Sequence, residues 1–205
     1  MPSTILTFSD IHIGGSIPQA MEEVGRVLPT SPESTKARDR TLDFLRTHPD
    51  ALHRSCSAGH LTGSALIVDN SDSKVLVMLH KKLNIWLQPG GHADGEGYLS
   101  NVARREAYEE TGIRGLRVLT PGIDCDIHRI PKFKKEEQHF HYDTTYLLLA
   151  PETAKIKRNH ESLDMRWVTL EELEELTQEE RLRRLARIGI SLAREIRAEK
   201  DSESL

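Results

Sequence analysis

Two hydrophobic patterns divide the chain into a short helical part and a longer part rich in strands. Apolar residues at helical spacing predict one helix from Pro18 to Leu28 and a second from Pro32 to about Thr47. From Leu61 onward, aliphatic and β-branched runs separated by turn residues predict strands. The predicted strands are 61–69, 74–80, 85–89, 116–119, 123–128, 139–149 and 163–168. Three further helices are predicted to begin near Tyr98, Leu170 and Gln178.

The helix that begins near Tyr98 changes character along its length. At about 100° per residue, one stripe of this helix contains Leu99, Val102, Ala103, Glu106, Glu109 and Glu110. Its first two turns are apolar, and its last turn carries three carboxylates before Gly112, which is predicted to end the helix. Buried carboxylates without a partner are costly and raise one another's pKa, so a bound divalent cation would resolve the conflict. The alternative is a solvated acidic helix end paired with Arg104 and Arg105.

Composition narrows the class of protein. With 205 residues, 37% of them hydrophobic and 29% charged, the chain is long enough for one domain with an extension. The net charge of −4 argues against broad nucleic-acid binding. Two cysteines, Cys56 and Cys125, make no disulfide framework and favour reduced thiols. With no signal-peptide pattern and no long apolar run, we expect a cytoplasmic protein that does not enter a membrane.

The segment Gly90–Ile113 resembles the Nudix box, G-x5-E-x7-R-E-U-x-E-E-x-G-U, where U is aliphatic. It matches at every position from Arg105 to Ile113. Counting from Gly91, the position of the first glutamate holds Gly97, and Glu96 lies one residue earlier. In the family that glutamate supports the loop and helix, so the departure concerns loop geometry more than metal binding. The stretches WLQPGGHADG, HFHYD and ESLDMRW resemble a group of bacterial Nudix proteins.

The resemblance covers about residues 58–176 and implies an α/β (α+β) fold, the Nudix α/β/α sandwich around a mixed β-sheet. Residues 1–57 are interpreted as an N-terminal helical extension that covers one face of the domain or forms a homodimer contact. Residues 177–205 are predicted to form a C-terminal helix packed on the domain, with the arginines from Arg181 to Arg197 on its outer side. Acidic residues among these arginines favour packing over membrane or RNA binding.

The resemblance also implies an activity, the hydrolysis of a diphosphate linked to another group in a small-molecule substrate, commonly a nucleoside diphosphate derivative. The cofactor would be Mg²⁺ or Mn²⁺, bound by Glu106, Glu109 and Glu110. Arg105, which matches the arginine of the box, would orient a neighbouring glutamate. Either a helix glutamate or Glu161, in the loop before the last strand, could accept the proton from water. Asp164 is the second candidate in that loop.

Candidate substrate-binding residues lie around the box and on two alternating strands. Two glycines would let the backbone turn sharply near phosphate or metal, and the next residue, His92, could contact substrate or hydrogen-bond the loop. If the two strands pair, one face carries Asp124, Asp126, His128, His139, His141 and Asp143. That face could line a pocket, hold another metal or be solvated. The candidates for substrate binding are Gly90, Gly91, His92, His139, His141 and Asp143.

Two other functions compete with hydrolysis. The departure at Gly97 is compatible with a catalytically weak or inactive Nudix domain that binds nucleotides as a sensor or scaffold, although the three helix glutamates argue against it. Isopentenyl-diphosphate isomerases resemble Nudix proteins but use a cysteine, and residues 87–92 contain none. The sequence leaves the substrate and the oligomeric state open.

Overall fold

The computed structural model describes residues 4–6, 14–132 and 137–203, with side chains over 14–132 and 137–199. Residues 1–3 and 7–13 of the predicted extension lie outside the described part. The helices are α1 (Ile17–Arg26), α2 (Pro32–Thr47), α3 (Leu99–Thr111), α4 (Leu170–Leu176) and α5 (Glu180–Glu203). The strands are β1 (Thr4–Leu6), β2 (Gly59–Val68), β3 (Val75–His80), β4 (Trp86–Leu87), β5 (Gly90–His92), β6 (Arg117–Ile130), β7 (His139–Leu149) and β8 (Ser162–Val168).

All eight described strands belong to one mixed sheet with the path β1-β6-β7-β2-β3-β4. Its centre is the parallel pair β2 and β7, which are in register from Gly59 opposite Phe140 to Val68 opposite Leu149. The other pairs are antiparallel, with β5 beside β2 and β8 beside β3. The two longest strands, β6 and β7, are antiparallel neighbours. The condition set above for a shared polar face on these strands is therefore met.

Helices cover both faces of the sheet. Because side chains alternate along a strand, β2 sends Leu61 and Ile67 into a core shared with α1, α2 and α3, and Leu66 and Val68 into a second core on the opposite face. The second core is closed by α4 and α5, with Leu182 and Leu185 among its buried residues. This three-layer arrangement confirms the predicted α/β/α sandwich around a mixed sheet.

The Nudix-like helix is formed as its sequence predicts. In α3, the apolar turn places Leu99, Val102 and Ala103 in the first core, where all three are fully buried. The helix ends at Gly112, whose φ of 68° and ψ of 5° give the left-handed conformation expected of a glycine cap. The helix therefore lies with its apolar stripe on the sheet and carries its acidic turn to the edge of that contact.

Two expectations about the strands were wrong. Gly90 and Gly91 do not form a sharp turn but belong to β5, opposite Ser64 and Gly63 of β2. The predicted strands 116–119 and 123–128 are one strand, β6, with an irregularity between Leu119 and Asp124. This irregularity follows from the sequence Thr120-Pro121-Gly122, because proline cannot donate a ladder hydrogen bond and glycine favours bulges.

The N-terminal helices begin where the sequence signals predict. Ser31 caps α2 by accepting a hydrogen bond from the Ser34 main chain at 3.1 Å, and Pro32 follows in the first helical position. Val24 of α1 and Leu45 of α2 are buried in the first core beside α3. Both helices therefore belong to the layer that covers the α3 face of the sheet. The division of the chain at residues 57 and 176 stays a prediction.

Candidate functional site

The acidic turn of α3 lies against β5. Glu110 is only 4% exposed, Glu106 is half-buried and Glu109 is exposed. The main chain of β5 passes very close to Glu106. A Cβ on Gly91 would lie 2.4 Å from the carboxylate of this glutamate. The alternative interpretation of the acidic turn, a helix end exposed to solvent, therefore applies to Glu109 but not to Glu110. The close approach gives a reason for glycine at position 91 that does not depend on a turn.

Hydrogen bonds fix two of the three glutamates. The Gly90 main-chain N–H donates to Oε2 of Glu110 at 3.0 Å. The guanidinium of Arg105 donates to Oε1 of Glu106 at 2.8 Å and to the main-chain oxygen of His92 at 2.7 Å. Arg105 thus joins a helix glutamate to β5, which fits the expected orienting role.

Four carboxylates crowd together at this end of α3. Burial raises the pKa of Glu110 to about 8, and repulsion from Glu106, Glu161 and Glu109 adds to the effect. Burial likewise raises the pKa of Glu106, against the opposing influence of Arg105. Negative charge therefore accumulates here beyond what the protein itself compensates.

The two acids of the late loop differ in their surroundings. Glu161 is exposed, and its backbone is held by Asn159 and by the main-chain N–H of Lys81 at 2.9 Å. Asp164, in contrast, pairs with Arg166 on its own strand, and this pairing lowers the pKa of Asp164. Glu161 is therefore the loop acid whose charge acts on the helix glutamates.

This donor set suits a hard divalent cation. Carboxylate oxygens are the preferred ligands of Mg²⁺ and Mn²⁺, and an ion would offset the repulsion that raises the pKa of Glu110. In the described part of the chain these glutamates do not converge on one point, whereas a histidine triad does. The carboxylate of Glu110 is instead hydrogen-bonded to Gly90, and that of Glu106 to Arg105.

The departure at Gly97 has a structural cause. A Cβ at Gly97 would lie 2.5 Å from main-chain atoms of Ser16, because residues Gly15 and Ser16 cross this position. Glu96 accepts from the Gly14 main chain at 3.1 Å and from the Tyr98 main chain at 2.8 Å. Glu96, one residue before the position of the family glutamate, therefore links the N-terminal extension to the start of α3. The loop is changed, while the acidic turn is kept.

Histidines form a second cluster on the opposite face of the sheet. Since Gly91 faces Glu106 on the α3 side, the alternation along β5 sends the side chain of His92 to the other face. There it meets His60 and His141, with ring centroids 4.9 Å apart in each of the three pairs. His139 and His128 adjoin the same group. The histidine candidates thus come together on the sheet face opposite the glutamates.

Sequence reasoning missed His60, which is the centre of this cluster. Burial lowers the pKa of His60 to about 4 and that of His92 to about 4, and neighbouring positive charge contributes to both shifts. Burial lowers the pKa of His141 further, to about 2. His60 lies just before the predicted strand of Leu61, and extending that strand by one residue would have included it, although its place opposite His141 follows from the register of β2 and β7.

Asp143 lies in a buried network of hydrogen bonds. It is 1% exposed, and its oxygens accept hydrogen bonds from Thr62, Ser64 and Arg181 at 2.8–3.0 Å. Arg181 also donates to the fully buried Asp124 at 3.0 Å. Asp143 is thus held within the protein by these partners, and its assignment to substrate binding stays a prediction.

The same network corrects the expectation that every arginine of the last helix lies on the outer side. Arg181 of α5 faces the sheet, where Asp143, Asp126 and Asp124 raise its pKa although burial acts to lower it. Arg184 is 3.2 Å from Asp124 on the same side. The predicted helix packs on the domain partly through these buried ion pairs. Among the described residues, no helix has the length and apolar character needed to cross a bilayer.

Comparison with known proteins identifies the family. A model of the NUDIX domain matches residues 59–187, which is more than half of the chain. The matched range contains α3 with its glutamates, β5 and the late loop. The chain therefore belongs to the Nudix family and is an enzyme of its pyrophosphohydrolase class. Hydrolases of this family generally use divalent metal ions. No curated protein matches the chain in sequence.

Solved structures of Nudix proteins are similar to the chain at low sequence identity. A NUDIX-family hydrolase from Clostridium perfringens is 24% identical, with 65% of this chain and 97% of that chain covered and a TM-score of 0.47. An Ap4A hydrolase from C. elegans is 18% identical, with coverage of 64% and 95% and a TM-score of 0.47. The E. coli dihydroneopterin triphosphate pyrophosphohydrolase is 18% identical, with coverage of 62% and 91% and a TM-score of 0.46.

Proposed function

We propose that the chain hydrolyses a diphosphate linkage in a nucleoside diphosphate derivative or a similar small phosphorylated metabolite, with Mg²⁺ or Mn²⁺ bound by Glu106, Glu109 and Glu110. The observation that carries the proposal is the crowding of these carboxylates against Gly90 and Gly91, where burial raises the pKa of Glu110 to about 8. Uncompensated buried acid of this kind is costly for a purely structural helix end. It is useful where a cation and a polyanionic substrate must meet.

The cation and the chain contribute different chemistry. When bound, a divalent cation neutralises diphosphate oxygens and lowers the pKa of coordinated water. Arg105 holds Glu106 in position through its 2.8 Å hydrogen bond and ties that glutamate to β5 through the His92 carbonyl. Gly91 lets the carboxylate of Glu106 lie directly against β5, because a Cβ at this position would lie 2.4 Å from it. These residues position the reacting groups, which accounts for a large part of catalysis in phosphoryl transfer.

We assign the proton-accepting role to Glu161. Its carboxylate is exposed, yet it acts on both Glu106 and Glu110, so it faces the same space from a different element. Asp164 is paired with Arg166 and is the weaker candidate. Replacing Glu161 by Gln should lower kcat by about 10²-fold or more, the usual contribution of a positioned base, while Asp164→Asn should change kcat little. An equal loss of kcat in the two variants would contradict the assignment of this role to Glu161.

Activity is tested on the full-length chain after removal of bound metal by a chelator. The substrate panel comprises nucleotide sugars, dinucleoside polyphosphates, ADP-ribose and deoxynucleoside triphosphates, each with Mg²⁺ and with Mn²⁺. Products identified by mass show which diphosphate bond is cleaved. We expect turnover with at least one class and none in the absence of metal.

The glutamates are tested with matched variants. Glu109→Gln and Glu110→Gln should reduce turnover by about 10²-fold or more, because each removes a charged ligand from the proposed ion. Glu110→Gln should unfold no more easily than the parent, since it removes a buried charge and keeps an oxygen for the Gly90 N–H. Glu152→Gln, at an exposed turn, is the control and should leave turnover unchanged. Full activity in the two glutamine variants would contradict the proposal.

A further inference from the structure

Three adjacent strands of the sheet bring three histidines to one point. In the parallel pair of β2 and β7, His60 is opposite His141. In the antiparallel pair of β2 and β5, His92 is opposite Thr62, two residues along β2 from His60 and on the same face. One nitrogen from each of the three rings lies within 4.8 Å of the other two. The backbone pairing of the sheet, rather than a flexible loop, fixes this convergence.

His60 is buried without the hydrogen bonds that such a side chain normally makes. It is 4% exposed, and neither Nδ1 nor Nε2 has a hydrogen-bond partner of normal length and angle among the described residues. The main chain of Cys56 is close enough to raise the pKa of His60 slightly, but this contact does not satisfy the ring. A buried imidazole with two unsatisfied nitrogens is costly, and groups of this kind usually have a partner such as water or an ion.

We propose that His60, His92 and His141 bind one transition-metal ion of the zinc class, at a site separate from the glutamates of α3. Imidazole nitrogen is a favoured ligand of Zn²⁺, Ni²⁺, Co²⁺ and Cu²⁺, whereas Mg²⁺ and Ca²⁺ prefer oxygen. Because the three rings lie on the sheet face opposite α3, one ion cannot serve both sites. The chain therefore has one site for a hard cation and one for a softer cation.

The dimensions of the cluster suit such an ion. Zinc–nitrogen bonds of about 2.0–2.1 Å in a tetrahedral site place ligand nitrogens about 3.4 Å apart. The three nitrogens, now within 4.8 Å of one another, would need to draw together by at most about 1.4 Å, which changes of side-chain torsion can supply. A fourth imidazole is at hand, because Nε2 of His139 is 3.3 Å from Nε2 of His141.

The charges around the cluster are compatible with a cation. The positive side chain that acts on both His60 and His92 is Arg54. Its guanidinium is engaged with both carboxylate oxygens of Asp94 at 2.7 Å, so the pair contributes little net charge. Of the other groups facing these rings, His139 lies 4.8 Å from His60 between ring centroids and His128 lies 5.3 Å from His141.

The proposed ion would also support the catalytic side of the sheet. His92 would bind the ion through its ring, while its main-chain oxygen accepts the hydrogen bond from Arg105 at 2.7 Å. Arg105 in turn holds Glu106. An ion bound by residues of β2, β5 and β7 would therefore hold β5 in place, and β5 is the strand to which Arg105 and Glu110 are hydrogen-bonded. Binding of zinc alone should raise the Tm of the protein, since a ligand that binds the native state stabilises it.

The test is metal binding by the full-length protein after chelator treatment. Zn²⁺ is titrated by calorimetry at buffered free-metal concentration, and Co²⁺ is titrated by its visible absorption, which is much stronger for a tetrahedral site than for hydrated ion. We expect one tight site per chain and an intense Co²⁺ spectrum. X-ray absorption of the zinc-loaded protein should show at least three imidazole ligands. An octahedral Co²⁺ spectrum, or no tight zinc site in the folded parent, would overturn the proposal.

Variants distinguish this site from surface histidines and from the glutamate site. His60→Gln and His141→Gln should each weaken zinc binding by at least about a hundredfold, more than loss of a supporting outer contact usually costs. His160→Gln, at an exposed histidine outside the cluster, should bind zinc as the parent does. Glu109→Gln should keep the zinc site even if it abolishes hydrolysis, so the two proposals fail separately. Tight binding retained in both His60→Gln and His141→Gln would show surface binding and refute the site.

Discussion

Glu23 accepts hydrogen bonds from both the main-chain N–H and the hydroxyl of Ser100, at 2.8 and 2.6 Å, although 77 residues separate them. Ser100 lies in the first turn of α3, where main-chain N–H groups have no partner within the helix. The capping residue of α3, Tyr98, supplies no side-chain acceptor. Helix α1 of the N-terminal extension therefore provides the cap, and its negative charge also suits the helix dipole.

Removing this carboxylate should destabilise the fold. Glu23→Ala should lower the free energy of unfolding by about 1–2 kcal/mol, the usual loss for a helix cap, because the Ser100 N–H at the start of α3 loses its acceptor. The buried hydroxyl of Tyr146 also donates to Glu23, at 2.7 Å, and loses its partner as well. Urea-induced unfolding measures the effect. Glu22→Ala, at the exposed neighbouring position, is the control, and equal losses in the two variants would contradict the capping role.

Restoring the family glutamate at position 97 should harm this protein. Gly97→Glu places a side chain where a Cβ alone would lie 2.5 Å from the main chain of Ser16, so residues 15–16 would have to move. We expect a loss of about 1–3 kcal/mol in the free energy of unfolding, the usual cost of overpacking. Gly25→Ala is the matched control, because its Cβ meets nothing within 4 Å and alanine favours the helix. A stabilised Gly97→Glu variant would refute this account of the departure.

The sequence predicts α3 and its acidic turn well because that information is local. Helical spacing from Leu99 to Glu110 and the glycine at position 112 act within a few residues of one another. The bounds of α2 and the strand β7 follow from equally local signals, namely a cap with a following proline and a regular alternation. Short-range patterns therefore suffice for the elements and for the identity of the glutamates.

The remaining features depend on contacts between distant parts of the chain. Whether His60 joins His141 depends on the parallel register of β2 and β7, which no pattern within either strand specifies. Arg181 faces the sheet because Asp124 and Asp143 are buried there, and this pairing is invisible in the helix alone. The glycines at 90 and 91 signal close approach, but the sequence does not say that the approaching groups are Ser64 and Glu106.

The two glycines of β5 should respond differently to alanine. At Gly91 the added Cβ meets the flexible end of Glu106, which can rotate away, so we expect stability to change little and kcat to fall about tenfold to a hundredfold. At Gly90 the Cβ would lie 3.0 Å from the main chain of Ser64, which cannot move as freely. Gly90→Ala should therefore lower the Tm more than Gly91→Ala. Thermal unfolding and steady-state kinetics on both variants test the contrast, and the reverse order would contradict it.

Arg181 should be essential to the folded sheet rather than to binding of any ligand. Its guanidinium contacts Asp124 and Asp143, which are 0% and 1% exposed, so replacing it by Met leaves Asp143 without its counter-charge and Asp124 with Arg184 alone. Breaking a buried pair in this way costs about 3–5 kcal/mol, and we expect Arg181→Met to lower the free energy of unfolding by that amount. The control is Arg187→Met on the same helix, whose ion pairs with Glu174 and Glu180 are exposed.

The control should lose less than about 1 kcal/mol, since exposed ion pairs contribute little. A double variant, Arg181→Met with Asp143→Asn, separates the two possible origins of the loss. If the cost comes from uncompensated negative charge, removing the charge of Asp143 should recover part of the stability, because the amide keeps an oxygen for Thr62 and Ser64. If Arg181 acted mainly through its apolar stem, the second substitution would add a further loss, and urea unfolding of the four proteins in the cycle distinguishes the two cases.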